Sequence, residues 1–600
     1  MYKSIPHREV QVNMNYNLYD IQQSDQRRNA SLQVIRKLMP LIQDDKSRLM
    51  MACIAMVLNA VLTLIAPLLI GYTIDRYIQQ HNMHGVWING FILLVIYIVA
   101  WITNYMQTFL MGMVGQHVLY KLRNQIFHKL QELPLAFFHQ NQSGDLISRI
   151  NNDTDKINQF ISQSLMRFLG LIVTMIGAGI FLICVHPSLG SIALAPAAGI
   201  FIFTRFTSHW VKQRNAYSLK TTGGMSAEIQ ESLHNFKTIV AFNRRDYFRH
   251  RFETVNQQNY HAAIKAGVAN NLLMPVYNLF ANIAQLIVLA YGIYLIAAGH
   301  FTIGLLISFL VYVNRFYSPL QQIAVLWSGF QTALAGWDRI SYILSLESNL
   351  PVIPSVQKIS TTYQLIFDKV SFSYDGKKEI LHEVSFQLQK GKTYAFIGPT
   401  GGGKTTIASL IARLYDPVSG IIYLDGYDMR SYPPEVRTQK IGFILQDPFL
   451  FTGTLQENIL YGNDRYQHYH EQELMHLLKV HGLDVLLEKF DEGLQTRIAS
   501  TGNTISLGQK QLIAFIRAVL RHPEILILDE ATANIDTVTE KQLEEILDKL
   551  PDTTTRILIA HRLNTIEHAD EIFLVNAGEV KAAGSLQHAL HMLMQEERKS

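Results

Sequence analysis

Cysteine is nearly absent from this 600-residue chain: only Cys53 and Cys184 occur, each inside an apolar run. Two such thiols exclude a disulfide framework and read as ordinary small buried residues. Net charge is also thin. At +4 it excludes the strongly basic surface that a nucleic-acid partner requires. The first thirty residues lack an apolar core and mix Glu9, Asp20 and Asp25 with Arg8, Arg27 and Arg28. That composition fits neither a cleavable signal peptide nor an acid-poor transit peptide, so residues 1–35 are expected to form a cytoplasmic tail.

Charge is missing from long stretches of the first half. Residues 49–73, 86–114, 168–185, 189–204 and 269–298 contain no Asp, Glu, Lys or Arg, and a sixth apolar run starts near Phe301 and continues past Arg315 toward Trp337. A membrane-crossing helix needs about 20 predominantly apolar residues, and a large soluble protein would not supply six such runs. Residues 36–345 are therefore expected to be a six-helix transmembrane domain within a lipid bilayer. The links after the first, third and fifth spans carry few charges, whereas those after the second and fourth are rich in Lys and Arg. The positive-inside rule then places both termini on the cytoplasmic side of the membrane. The two basic links, residues 121–167 and 205–265, are long enough to carry helices well beyond the bilayer and back. Their tips are expected near Pro134 to Asp145 and near Thr238 to Arg244. Arg315 admits two readings: a cavity lining, with Tyr312, Phe316 and Tyr317, for an amphipathic substrate, or an interfacial brace.

Pro351 and Pro354 interrupt the chain after the sixth span, which makes residues 346–363 a linker and residues 364–600 a soluble α/β domain. Within it, the buried strand pattern Tyr394-Ala395-Phe396-Ile397 runs into Gly398-Pro399-Thr400-Gly401-Gly402-Gly403-Lys404-Thr405-Thr406 and then an apolar helix. Strand, glycine loop and helix in that order form a phosphate-binding loop. Its glycines let backbone amides curl around phosphate oxygens at a helix N-terminus. Lys404 would reach the terminal phosphates of ATP, and the Thr405 hydroxyl would ligate Mg²⁺. Further on, Ile525-Leu526-Ile527-Leu528 is a second buried strand that delivers Asp529 as a metal ligand, and Glu530 follows as a candidate general base.

From Tyr374 to His561 these motifs together resemble the nucleotide-binding domain of an ATP-binding cassette protein. With six spans ahead of it, the chain over roughly residues 35–590 is similar to the half-transporters of the bacterial multidrug and lipid exporter group. The resemblance implies a multi-domain fold, a six-helix α-helical transmembrane domain followed by an α/β P-loop ATPase. It also implies ATP and Mg²⁺ as cofactors and a second half-transporter subunit as partner. Under it, Tyr374 stacks on adenine, Gln446 contacts the metal, Asp536 sits in a loop communicating between two ATP sites, and His561 touches the γ-phosphate.

One motif departs from the family. The signature normally reads Leu-Ser-Gly-Gly-Gln, and here it is Ile505-Ser506-Leu507-Gly508-Gln509. Ser506, Gly508 and Gln509 would face an ATP held by the partner, with Leu507 placing a side chain where the family has bare backbone. An intact phosphate loop with an altered signature resembles the catalytic-Glu chain of an asymmetric heterodimer, and neutral drift at a tolerant position is the plain alternative. Two rival functions fit the same motifs: a homodimeric lipid flippase and an ATP-gated channel.

Overall fold

The computed structural model describes residues 16, 18, 40, 42–347, 350–354, 358–499, 505–529, 537–559, 568–584, 587–589 and 591–592. Contacts divide the chain into two compact units, one of residues 27–129 and 146–345, the other of residues 1–26, 130–145 and 346–600.

Among the described residues the first unit is built of helices, and six helices are long and apolar enough to cross a membrane. Lys46–Thr73 opens the series, and Met83–Glu132 follows with 50 residues. After the first link come Met166–Val185 and, past the extended His186, Pro187–His234 with 48 residues. Leu273–Ala297 and Ile303–Ser345 complete the set. At 1.5 Å per residue a 50-residue helix is about 75 Å long, more than twice the hydrocarbon core it has to cross. The basic links are thus continuations of spanning helices, as their length predicted. The second link turns at the short helix Phe236–Ala241, and Arg245–Asn271 leads back.

Close backbone approach joins the first and sixth spans. A methyl group on Gly304 would come within 2.1 Å of the Gly71 carbonyl oxygen, and one on Gly71 within 2.3 Å of Ser308 Oγ. Small residues permit such contact where lipid supplies no hydrophobic drive between helices. Ser308 Oγ donates to the Pro67 carbonyl at 2.7 Å, and the Asp75 carboxylate accepts from Gly304 N at 2.8 Å and Thr302 Oγ1 at 2.6 Å, capping the sixth span. The expected aromatic lining beside Arg315 is corrected here. Tyr312 and Tyr317 are 1% and 2% exposed, and their hydroxyls donate to the carbonyls of Leu64 and Ala193. A tyrosine surrounded by helices must bond its hydroxyl, so both rings fill the bundle core and cannot line a passage.

The second unit gathers the tip of the first link, formed by Leu135–Gln140 and Asn141, with the soluble domain. Tyr16 and Leu18, expected to lie in a free tail, are buried against that tip. Asn141 accepts from Leu18 N at 3.1 Å and donates to the Tyr16 carbonyl at 3.0 Å, while Gln140 accepts from Tyr16 N at 2.7 Å.

The soluble domain holds two main sheets. One is antiparallel, in the order β2-β1-β4-β5, from Tyr363–Ser373 (β1), Glu379–Gln389 (β2), Ser419–Leu424 (β4) and Tyr427–Asp428 (β5). The other has the order β12-β11-β3-β10-β9-β6. Its strands are Thr393–Ile397 (β3), Ile441–Ile444 (β6), Ile525–Asp529 (β9), Thr555–Ile559 (β10), Glu571–Asn576 (β11) and Glu579–Gly584 (β12), the last antiparallel and the others parallel. Every residue of β9 is buried, as a parallel strand covered on both faces requires. A small ribbon of Gly453–Thr454 (β7) and Arg497–Ile498 (β8) flanks the helical part.

The Gly71–Gly304 contact sets one expectation. Gly304→Ala should destabilise the membrane bundle by about 1–3 kcal/mol, the usual cost of overpacking, read as a lowered unfolding midpoint in detergent. Gly329→Ala, where an added methyl meets nothing within 4 Å, should leave the midpoint unchanged.

Candidate nucleotide site

β3 and β9 lie on either side of β10 and run parallel, so their C-terminal ends open on the same edge of the sheet. The glycine loop leaves β3 at that edge and enters the helix Lys404–Ile411. Gly398 has φ 146° and Gly403 φ 112°, values that side-chain-bearing residues rarely adopt. A methyl on Gly398 would lie 2.0 Å from the Val575 carbonyl oxygen. Only bare backbone fits there, and within the loop Gly402 N donates to the Pro399 carbonyl at 3.1 Å. Lys404 is 6% exposed, with Nζ donating to the carbonyls of Gly398 at 2.8 Å and Pro399 at 3.0 Å. Its ammonium is curled over the cradle that a phosphate would occupy. Thr400 and Gly401 form the exposed lip of the loop, and Gly402 lies buried beneath it.

Asp529 ends β9 at 1% exposure, and Thr405 Oγ1 approaches its Oδ1 at 3.4 Å. Two motifs 124 residues apart thereby present a hydroxyl and a carboxylate to one point, the hard oxygen donors that Mg²⁺ takes. Gln446 follows β6 in an exposed loop two strands away from β10, beside β9. Tyr374 is 38% exposed, with its hydroxyl 3.1 Å from Thr406 Oγ1. Burial pushes its phenol above the ordinary value, the Thr406 hydrogen bond opposes that, and the Asp529 charge adds to it. The ring stands edge-on to Phe372 and Tyr415 at centroid distances of 4.8 and 5.1 Å. Tyr415 was missed by the motif reading, because a lone tyrosine after the phosphate-loop helix carries no pattern.

Ser506 caps the helix Leu507–Val519 through a reciprocal box: its Oγ accepts from Gln509 N at 3.2 Å, and Gln509 Oε1 accepts from Ser506 N at 2.9 Å. Gln509 Nε2 also donates to the Lys489 carbonyl at 2.7 Å. Both ends of the Gln509 amide are thus engaged in shaping the helix start, while a Ser506 hydroxyl that accepts can still donate its proton. Leu507 points outward at 37% exposure. The same helix is tied to the Gln446 loop. Gln511 Nε2 donates to the Gln446 carbonyl at 3.4 Å and Arg517 Nη1 to that of Phe449 at 3.3 Å, with Arg517 Nε on Asn458 O at 2.8 Å. These connectors were also missed, since they lie beyond the last residue of the signature and their partners are 59 to 68 residues away in sequence. Glu530, Asp536 and His561 lie outside the described residues.

Gly398→Ala should abolish the stabilisation that added ATP gives the wild-type chain in a thermal shift assay, because the new methyl and the Val575 carbonyl cannot share one place. A full ATP-dependent shift in that variant would show that the loop is not the cradle.

Comparison with known proteins agrees with this geometry. Residues 49–320 match the family described as ABC transporter transmembrane region, and residues 381–533 the family described as ABC transporter. The chain is 32% identical over 556 residues to the ABC transporter ATP-binding protein YfiC of Bacillus subtilis strain 168, across 92% of this chain and 91% of that one. It is 30% identical to the fatty acid ABC transporter ATP-binding/permease protein of Mycobacterium tuberculosis, covering 82% and 77% of the two chains. To the probable multidrug resistance ABC transporter ATP-binding/permease protein YheH of Bacillus subtilis it is 31% identical, covering 80% and 72%. A transmembrane region and a cassette in one polypeptide, matched over most of their length by such relatives, make this chain a member of the ATP-binding cassette transporters, an exporter-type multi-pass membrane protein whose ATPase is coupled to transmembrane transport.

Proposed function

We propose that the chain exports amphipathic or hydrophobic compounds, drug-like or lipid, from a bacterial cell by alternating access, with both termini in the cytoplasm. The substrate class is supported by the multidrug and fatty acid relatives. The observation that carries the assignment of the hydrolytic machinery is the approach of Thr405 to Asp529 under the phosphate loop. In this reading Lys404 leaves the carbonyls of Gly398 and Pro399 for the terminal phosphates of ATP, and the amides of the loop and of the Thr405 and Thr406 turn hold the phosphate oxygens. Tyr374 turns from Thr406 to stack on adenine. Thr405 and Asp529, with Gln446 beside them, would hold Mg²⁺, which when bound neutralises charge developing on the phosphates. Glu530 orients and deprotonates the attacking water, His561 contacts the γ-phosphate, and Asp536 lies in the loop between sites.

The cassette works with that of a second half-transporter subunit, its Ser506 and Gly508 facing the partner's nucleotide. Leu507 supports a heterodimer: an exposed side chain at the signature hinders close backbone approach to that phosphate. The partner then carries an intact signature and a residue other than Glu after its own metal-binding aspartate, so that one site turns over quickly and the other slowly or not at all.

Glu530→Gln in the assembled transporter should bind ATP normally and lose turnover by roughly 10²–10⁴-fold, the usual contribution of a general base. Unchanged steady-state hydrolysis would remove Glu530 from that role. Leu507→Gly should raise turnover if the degenerate site is limited by its signature. Vigorous ATPase activity from the purified wild-type chain with no other subunit would overturn the heterodimer in favour of a homodimer.

A further inference from the structure

Arg315 is the one charged residue in the six apolar runs, and none of those runs contains an acid. It lies twelve residues into the helix Ile303–Ser345, about 18 Å along an axis that crosses a hydrocarbon core of about 30 Å. Its Nε is buried without a hydrogen-bond acceptor, so the stem is pinned among protein atoms and does not snorkel to an interface. A guanidinium held at that depth stays charged and requires a counter-charge.

The helix surface around it is polar. At 100° per residue, Asn314, Arg315, Ser318, Gln321 and Gln322 fall within an arc of roughly 120°. Asn314 and Ser318 are exposed and the other three half-buried, whereas Phe309, Tyr312, Val313 and Tyr317 on the remaining surface are buried in the bundle. The fifth span contributes matching amides: Gln285 Nε2 donates to Asn314 Oδ1 at 2.6 Å, and Gln321 Nε2 to Asn278 Oδ1 at 2.7 Å. Polar side chains at membrane depth are seldom presented to lipid, so a half-exposed polar stripe is the surface that a bundle offers to a water-filled cavity.

We propose that this amide-lined stripe is a binding site for amphipathic anions, with Arg315 pairing the carboxylate, phosphate or sulfonate headgroup of the transported molecule. The inference rests on the export reading above and narrows its substrate class. The uncharged amides orient the headgroup by hydrogen bonds, and the guanidinium supplies the charge that selects it. A cationic amphiphile would instead meet an unscreened like charge, which disfavours it.

The test uses the assembled transporter in liposomes with three probes of equal tail length: laurate, dodecyl phosphate and dodecyltrimethylammonium. Substrate-stimulated ATPase activity and probe transport are measured for each. Wild type should respond to both anions at lower concentration than to the cation. Arg315→Gln should raise the half-maximal concentration for the anions by roughly tenfold or more, the worth of one charge-assisted hydrogen bond, with the half-maximal concentration for the cation unchanged. Arg315→Lys should recover part of the loss, and Arg315→Glu should reverse the preference. Equal shifts for anions and cation, or none, would overturn the role of Arg315 alone. A wild type that responds only to the cation would do the same, whereas one that moves none of the probes would count against amphiphile export as well.

Discussion

The fully buried strand β9 must end somewhere, and it ends in a carboxylate. Asp529 is 1% exposed, and the phosphate-loop helix brings the Thr405 hydroxyl to within 3.4 Å of it, one of the partners that make a buried carboxylate tolerable. Four apolar residues earn that strand its central place, and the place puts the charge where phosphate chemistry happens. The two motifs need no contact in sequence, since the parallel sheet lays β3, β10 and β9 side by side and opens their ends along one edge.

The membrane unit is governed by the opposite scarcity. Between helices surrounded by lipid, apolar area has nothing to gain from burial, so close approach and internal hydrogen bonds hold the spans. Gly71 against Gly304, Ser308 on the Pro67 carbonyl, Asp75 on the start of the sixth span and the two buried tyrosine hydroxyls all serve that end. A second set of polar groups lies on the other surface of the sixth helix, where Asn314 and Gln321 are bonded to Gln285 and Asn278 of the fifth span. A single helix therefore separates structural aromatics from a polar stripe by rotation alone.

The signature helix shows how a local sequence choice acts at two places. Its capping box consumes the Gln509 side chain and the Ser506 and Gln509 amides, which rigidifies the start of the helix. The Gln511 and Arg517 side chains farther along grip the loop of Gln446, so movement of that loop and of the signature are mechanically joined. Leu507 alters the exposed end of this lever without disturbing the cap.

Much was legible in the chain itself. Six apolar runs, their long basic links, the strand-loop-helix of the phosphate loop and the apolar strand before Asp529 are all local patterns, and local patterns follow from helix length, backbone sterics and strand burial. What the chain could not announce was direction and company. Tyr312 and Tyr317 looked like lining beside Arg315, yet their rotation about the helix turns them inward, where the carbonyls of Leu64 and Ala193 receive them. Tyr16 and Leu18 looked like part of a cytoplasmic tail, and Tyr415, Gln511 and Arg517 like nothing in particular, until neighbours far along the chain gave them partners. Sequence alone determined which segments cross lipid and which cradle phosphate, because those properties are sums over adjacent residues. Only the tertiary structure decided which side chain meets which, because that depends on helix rotation and strand order, quantities set by packing between segments distant in the chain.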